Sequence, residues 1–217
     1  MHLLARVWIS VTGWGGIFLL TGCAGRVGSM GEGFPLREVA SGEGIVVELQ
    51  YRTSDNITGK PLYPAHFRAY ATGETVEALQ RAARELCDQG YEMVLLDAWR
   101  PPVEAAILWN EAVKRNLRAM YAPPGVSGHT RGTSVDITLR RTGGGSVPMP
   151  GRYDCQDSRT GSTTHSQILS QVMRNAGFTA NRGEWWHFDH PSGKNARMVE
   201  NPLEKRRRLV TGTQVDG

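Results

Sequence analysis

The sequence predicts an α+β fold, a single domain in which a small antiparallel sheet is flanked by helices. The chain has 217 residues, which is enough for one domain and too short for two large ones. Helix and strand patterns alternate irregularly, with connections that do not suit a doubly wound parallel sheet. The 26 glycines and 11 prolines indicate many turns and long loops.

Composition excludes several classes of protein. Hydrophobic residues make up 40% and charged residues 21%, which is close to a globular average and excludes a disordered tail, a collagen-like fibre and a polytopic membrane protein. The net charge of +4 is too small to indicate a nucleic-acid partner, and we expect the basic run 205–208 to be a solvated end. Three cysteines are too few for a disulfide scaffold or a Cys-rich zinc site.

The N-terminal segment is typical of an export signal. Residues 1–22 carry Arg6, then an apolar stretch of about 14 residues, which is short for a membrane-spanning helix of about 20. They end in LTG before Cys23, which resembles the lipobox of bacterial lipoproteins. We therefore predict an exported protein anchored by lipid at Cys23 on the periplasmic face, with 23–40 as a flexible tether. Ala24 favours the outer membrane in a Gram-negative cell. An ordinary signal peptide or a retained anchor is the alternative.

The first half of the mature chain shows two strand patterns and two helix patterns. Thr75 is the expected N-cap of the first helix and Gly90 its stop, while Pro102 suits the first turn of the second. We predict strands over 44–51 and 91–99, and helices over 75–88 and 102–117.

The second half opens with a loop over 118–132, followed by strict alternation of apolar and polar residues. A short extended piece near Val147 follows a triple-glycine turn, and Gly177 ends a third helix pattern. We predict strands over 133–139 and 184–189 and a helix over 164–176.

The predicted domain covers 41–192 and leaves 193–217 as a tail of unassigned role. Cys87 falls in a helix pattern and is predicted to be buried and free. Pairing of Cys87 with Cys155 stays open, because sequence alone cannot establish it.

Two stretches carry residues that suit a metal. His129 ends a Gly-rich loop and Asp136 lies on a strand face, so a turn at Gly132 would bring both to one ion. In the second stretch, Glu184 and His187 would lie on opposite faces of a strand unless it bends between them. Two histidines and one carboxylate with an open fourth position are typical of a catalytic zinc site, beside which a free carboxylate transfers protons. Each pair alone is a weak signal, and Trp185 and Trp186 are as typical of a core or pocket wall.

Arg100 emerges at a rigid strand end, before two prolines, with Asp97 three residues earlier to orient it. Two interpretations stay open at this point. The pair is either a surface salt bridge of under about 1 kcal/mol or a cation directed at the oxyanion that develops on an attacked carbonyl.

Together these residues resemble the zinc D-alanyl-D-alanine dipeptidases, the VanX-type family. The matching stretches follow the family order and span most of the predicted domain. They are YRTSDNITGKPL (51–62), LLDAWRP (95–101), SGHTRGTSVDITL (127–139), VPMPGRYD (147–154) and GFTANRGEWWHFD (177–189). The resemblance implies a hedgehog/DD-peptidase-like fold, one zinc ion per chain and D-Ala-D-Ala as substrate.

The resemblance also implies a role for each matching residue. The implied zinc ligands are His129, Asp136 and His187. Glu184 would be the general base and acid, and Arg100, supported by Asp97, would stabilise the tetrahedral intermediate. Asp154 and Tyr51 would bind the free ammonium of the substrate, and Ser127 would help hold the peptide. An anion at one end of a small pocket would reject longer peptides, because an unpaired buried charge is costly.

Some positions depart from the family pattern, and two other functions stay open. Trp99 stands where tyrosine is common, Cys155 replaces an aromatic residue, the segment between 154 and 177 is short, and 190–217 match nothing. The alternatives are a murein D,D-carboxypeptidase or L,D-endopeptidase, and an inactive peptidoglycan-binding lipoprotein. A lipid anchor favours recovery of D-alanine from wall turnover over antibiotic resistance, which would need access to the cytoplasm.

Overall fold

A six-stranded sheet organises the fold in this computed structural model, which describes residues 33–156 and 160–204. The strands in chain order are β1 (Arg37–Glu38), β2 (Ile45–Val47), β3 (Tyr70–Ala71), β4 (Tyr91–Asp97), β5 (Ser134–Arg141), β6 (Gly145–Ser146), β7 (Thr179–Ala180) and β8 (His187–Asp189). The main sheet has the order β2-β4-β5-β8-β7, and β6 pairs with β5. Strands β1 and β3 form a separate two-stranded ribbon. The signal segment, Cys23 and the basic run 205–208 lie outside the described residues.

The described residues contain three α-helices beside the sheet, and the predicted α+β single domain is confirmed. They are α1 (Gly73–Asp88), α2 (Pro102–Lys114) and α3 (Thr164–Asn175). Helix α1 buries one apolar stripe against β4 and α3, as its helical periodicity predicts. Helix α3 begins with a capping box in which Thr163 and Ser166 satisfy each other's backbone N–H groups. None of the helices in these two ranges combines the length and apolar character needed to cross a membrane.

The sheet is mixed rather than wholly antiparallel, because β2 runs parallel to β4. The first strand is also shorter than the predicted 44–51. It ends at Val47, and Gln50–Arg52 form one turn of 3-10 helix that buries the Tyr51 side chain. The N-cap prediction for α1 was wrong. Thr72, not Thr75, is the N-cap, since its hydroxyl accepts the Thr75 N–H.

The bounds of the remaining elements also differ from the predicted bounds. Strand β4 ends at Asp97, where its register with β5 shifts, and α2 ends at Lys114. Strand β5 extends to Arg141, and the last strand begins only at His187, because residues 184–187 form a turn. The burial prediction for Cys87 was wrong: it is exposed at the solvent side of α1, and both Cys87 and Cys155 are free thiols.

Strand register aligns three polar residues at one end of the sheet. Asp97 of β4 lies opposite Asp136 of β5, which lies opposite His187 of β8. Neighbouring strands are about 4.8 Å apart, so side chains from three distant parts of the sequence meet here. The fold therefore concentrates acidic and imidazole groups at one end of the sheet.

The chain after β8 packs behind this end of the sheet. Trp99 is buried, and its Nε1 donates to the carbonyl of Val199 at 3.1 Å. The Val199 N–H in turn donates to the carbonyl of Thr130 at 2.8 Å. This segment thus supports the loop that carries His129.

Candidate metal centre and surrounding cavity

Three side chains present metal-binding atoms to one another. His129 Nε2 lies 3.2 Å from His187 Nδ1 and 3.4 Å from Asp136 Oδ1. His187 Nδ1 lies 3.0 Å from the same Asp136 oxygen. We call these three residues the ligand triangle.

The triangle has the dimensions that a tetrahedral metal requires. Ligand bonds of about 2.0–2.1 Å at tetrahedral angles separate the ligand atoms by about 3.3–3.4 Å. The other ring nitrogens are occupied, which fixes the tautomers. His129 Nδ1 donates to the Ala98 carbonyl at 2.7 Å, and His187 Nε2 donates to Asp189 Oδ1 at 3.1 Å. The unprotonated nitrogens of His129 and His187 therefore face the same point as Asp136, and this donor set fits zinc.

The loop carrying His129 is fixed by close packing. Residues His129–Arg131 form one turn of 3-10 helix, and the left-handed backbone of Gly132, with φ +70°, ends it. A side chain at Gly128 has no room, since a Cβ atom there would lie 1.9 Å from Ser134 Oγ. The Thr130 hydroxyl adds a bond to the Ser127 carbonyl. The backbone thus holds His129 at this end of the sheet in a single orientation.

Two further residues orient the ligands, and the sequence analysis missed both. Asp189 accepts hydrogen bonds from His187 and from the Ser134 hydroxyl. The Tyr153 hydroxyl donates to Asp136 Oδ2 at 2.7 Å, so that Oδ1 is left facing the histidines. Adjacency to a predicted site residue was the available signal for both: Asp189 lies two residues after His187, and Tyr153 directly precedes Asp154.

Glu184 lies beside the triangle rather than in it. The turn before β8, closed by the His187 N–H on the Glu184 carbonyl, provides the bend that the sequence required. The nearest Glu184 carboxylate oxygen is 3.9 Å from His187 Nδ1, and the side chain is largely buried. A carboxylate at this position can exchange protons with a group held at the triangle.

Arg100 and Asp97 form a buried pair, which excludes the surface salt bridge. Both Nε and Nη2 of Arg100 donate to Asp97 Oδ2, at 3.0 and 2.8 Å. The Tyr63 hydroxyl donates to the other Asp97 oxygen at 2.8 Å. The guanidinium lies over the Tyr51 ring, 4.8 Å from its centroid, and Nη2 is 3.9 Å from Asp136 Oδ2. A fixed cation therefore faces the space above the triangle.

Asp154 is a half-buried carboxylate held in a strained backbone. Its φ is +54°, a left-handed conformation that non-glycine residues seldom adopt. The hydroxyls of Tyr51 and Tyr121 both donate to Oδ2, at 3.0 and 2.9 Å. Burial raises its pKa to about 7, against the opposing effects of Arg100 and these hydrogen bonds. The sequence analysis missed Tyr121, which lies in a loop without any recognisable motif.

One cavity of about 360 Å³ collects nearly all of the predicted site residues. Its lining includes Tyr51, Arg100, Ser127, His129, Asp136, Asp154, Glu184 and His187. Asp97 lies behind Arg100 and does not line it. Asn181, Trp186 and the loop of Met120 and Tyr121 complete the walls. The geometry brings these residues together, while their individual roles stay predictions.

Known proteins resemble this chain over most of its length. A D-alanyl-D-alanine dipeptidase of Enterococcus faecium is 31% identical over 173 residues, covering 67% of this chain and 85% of that protein. One from Escherichia coli K12 is 30% identical over 162 residues, covering 70% and 82%. Among solved structures, the LdcB LD-carboxypeptidase superposes with a TM-score of 0.43 at 21% identity, covering 63% of this chain and 69% of that one.

The match to a family model covers the same region. The model of the M15 peptidases, described as D-ala-D-ala dipeptidase, matches residues 32–204. This range includes every described element of the sheet and all residues of the cavity. The chain therefore belongs to the M15 peptidase family.

Proposed function

We propose that this protein is a zinc-dependent dipeptidase that hydrolyses D-Ala-D-Ala to two D-alanines, with one zinc ion per chain. The observation that carries the proposal is the pairing of two features in one cavity. The ligand triangle lies in the wall, and the carboxylate of Asp154 also lines it. The names of the Enterococcus faecium and Escherichia coli relatives support the same substrate.

His129, Asp136 and His187 would hold the zinc ion, leaving a fourth position open. When bound, zinc lowers the pKa of a water molecule and polarises the substrate carbonyl. The fixed tautomers and the Tyr153 hydrogen bond hold the three donors ready, so little reorganisation accompanies binding.

Glu184 is the proposed proton carrier. Its carboxylate takes a proton from the attacking water as the new C–O bond forms. It then gives that proton to the amine nitrogen as the C–N bond breaks. Its position beside His187, outside the triangle, supports a role in proton transfer rather than metal binding.

Arg100 is proposed to stabilise the negative charge that develops on the carbonyl oxygen. Asp97 fixes the guanidinium through two hydrogen bonds and is itself fixed by Tyr63. A preorganised cation of this kind costs no reorientation at the moment of reaction.

Asp154 is proposed to bind the ammonium group of the substrate, with Tyr51 orienting the carboxylate. Ser127, in the wall beside His129, is proposed to help hold the peptide. A substrate whose amine is acylated brings no cation to Asp154 and leaves a buried charge without a partner. That penalty favours the free dipeptide over a peptidoglycan stem.

We also propose that the protein is exported and anchored by lipid at Cys23, on the periplasmic face of the envelope. The support is the LTGC motif after a short apolar stretch. In that compartment the activity would recover D-alanine from products of wall turnover.

The substrate assignment predicts a defined pattern of products. The full-length, zinc-loaded protein is expected to release D-alanine from D-Ala-D-Ala, and a chelator should abolish the release because it removes the metal. L-Ala-L-Ala and a muropeptide stem ending in D-Ala-D-Ala should yield little, as measured by chromatography of the free amino acid. Release from the stem at a comparable rate would instead identify a carboxypeptidase, and inactivity on all substrates with zinc bound would indicate a binding protein.

Replacement of the proton carrier should separate chemistry from metal binding. We expect Glu184→Gln to lower kcat by about 10²–10⁴-fold while the zinc content, measured by mass spectrometry, stays at one per chain. Glu92→Gln is the matched control, because Glu92 pairs with Arg140 away from the cavity. Loss of zinc from the Glu184 variant would show that the residue is a ligand.

Replacement of the ammonium-binding carboxylate should act on substrate recognition. We expect Asp154→Asn to raise the KM for D-Ala-D-Ala by about 10–100-fold, given about 1.5–3 kcal/mol for a lost charged hydrogen bond, with a much smaller effect on N-acetyl-D-Ala-D-Ala. In the unmodified protein the KM should rise as the pH falls below about 7, because protonated Asp154 carries no charge. Burial raises the pKa of this carboxyl most strongly; Asp136 also raises it, while Arg100 and the hydroxyls of Tyr121 and Tyr51 lower it.

The pH trend should vanish in Asp154→Asn and persist in Asp88→Asn, an exposed carboxylate at the end of α1. Equal losses on the free and the acetylated dipeptide would remove the ammonium assignment.

Replacement of Cys23, the proposed lipidation site, tests whether lipid anchors the protein to the membrane. We expect Cys23→Ser to abolish incorporation of labelled palmitate and to release the protein from the membrane fraction. Cys87→Ser is the matched control, and unchanged labelling of the Cys23 variant would contradict the lipid anchor.

A further inference from the structure

A second cavity lies on the other side of Asp154. Its volume is about 250 Å³, and it is lined by the loop around Asp55, the turn after α2 and the segment 152–156. Three residues, Met120, Tyr121 and Asp154, line both this cavity and the larger one. They therefore border both spaces, and we call these three residues the partition. We call the second space the rear cavity.

Tyr121 is the largest side chain of the partition, and it is firmly held. It is buried, follows the 3-10 turn Arg118–Met120, and donates its hydroxyl to Asp154 Oδ2 at 2.9 Å. Tyr51 donates to the same oxygen from the other side. The ring thus stands at the end of the main cavity where the proposed function puts the substrate ammonium.

We propose that Tyr121 is a specificity-determining residue whose ring closes the ammonium end of the substrate pocket and keeps longer peptides out of the rear cavity. The inference rests on the proposed function. It assigns peptide-length selection to two cooperating elements: the charge of Asp154, which requires a free amine, and the ring of Tyr121, which fills the path that a further residue would take.

The rear cavity offers a suitable place for that further residue. Its lining mixes apolar side chains, Ile57 and Leu117, with the exposed ion pair of Asp55 and Arg152 at 2.7 Å. A volume of about 250 Å³ exceeds the space of one alanyl residue. The chain therefore holds a preformed space that becomes continuous with the main cavity once the partition is removed.

The test is a gain of activity, which misfolding cannot produce. The full-length, zinc-loaded protein and its Tyr121→Ala variant are compared on D-Ala-D-Ala and on the tripeptide D-Ala-D-Ala-D-Ala, with release of the C-terminal D-alanine as the readout. We expect kcat/KM for the tripeptide to rise by about tenfold or more, as for removal of a steric block in a pocket. The dipeptide value should fall, because Asp154 loses one of its two hydroxyl partners.

Two matched variants separate the ring from other effects. Tyr121→Phe keeps the ring and removes the hydroxyl, so the preference for the dipeptide should be retained. Leu117→Ala enlarges the rear cavity without touching the partition, so it should not admit the tripeptide. Tyr121→Leu shortens the partition with less loss of buried surface and serves as a second opening variant.

The outcomes are distinct. Folded, zinc-containing Tyr121→Ala and Tyr121→Leu variants that leave the tripeptide rate unchanged would overturn the proposal, as would Tyr121→Phe altering the ratio as much as Tyr121→Ala. Ready cleavage of the tripeptide by the unmodified protein would also overturn it. An unmodified protein that is inactive on D-Ala-D-Ala would instead refute the proposed function, so the two failures are distinguishable.

Discussion

The buried carboxylate of Asp136 is the constraint on which the site depends. A charge removed from water must be compensated on both oxygens, and here each oxygen has its own set of partners. Oδ2 accepts from Tyr153, while Oδ1 faces the same point as the unprotonated nitrogens of His129 and His187, where a bound metal would compensate its charge. His187 reaches Asp136 from the neighbouring strand β8, whereas His129 and Tyr153 reach it from loops outside the sheet.

Side chains of opposite charge line the same cavity. Asp154 presents an anion, whereas Arg100 presents a cation near the triangle. Tyr51 lies between them: its ring contacts the Arg100 guanidinium and its hydroxyl donates to Asp154. The strain in the Asp154 backbone is offset by the two hydroxyls that hold its carboxylate.

The sequence predicts those parts of the site whose residues lie close together along the chain. His129 and Asp136 are seven residues apart, and the turn after Glu184 is local, so motif and periodicity suffice to bring them into consideration. Tyr121, Tyr153 and Tyr63 were missed because each acts through a hydrogen bond to a residue far along the chain. No local pattern encodes such a contact.

The same distinction applies to the fold. The apolar stripe of α1 predicts the helix but not the position of its N-cap. Threonine is a preferred N-cap residue at both 72 and 75, and only the tertiary path of the chain places the cap at Thr72. The predicted strand 44–51 was too long, because its hydrophobic pattern continues past Val47. The residues beyond Val47 are buried through a 3-10 turn and not through the sheet.

The link from Trp99 to Val199 spans 100 residues, and the link from Tyr51 to Asp154 spans 103. Contacts of this sequence separation form late, because the entropy of closing a long loop must be overcome before they stabilise the chain. A nascent chain that has not yet reached His187 contains neither the complete ligand triangle nor the segment that supports the His129 loop. Assembly of the candidate metal centre is thus tied to synthesis of almost the whole domain, and an incomplete chain lacks part of the ligand triangle.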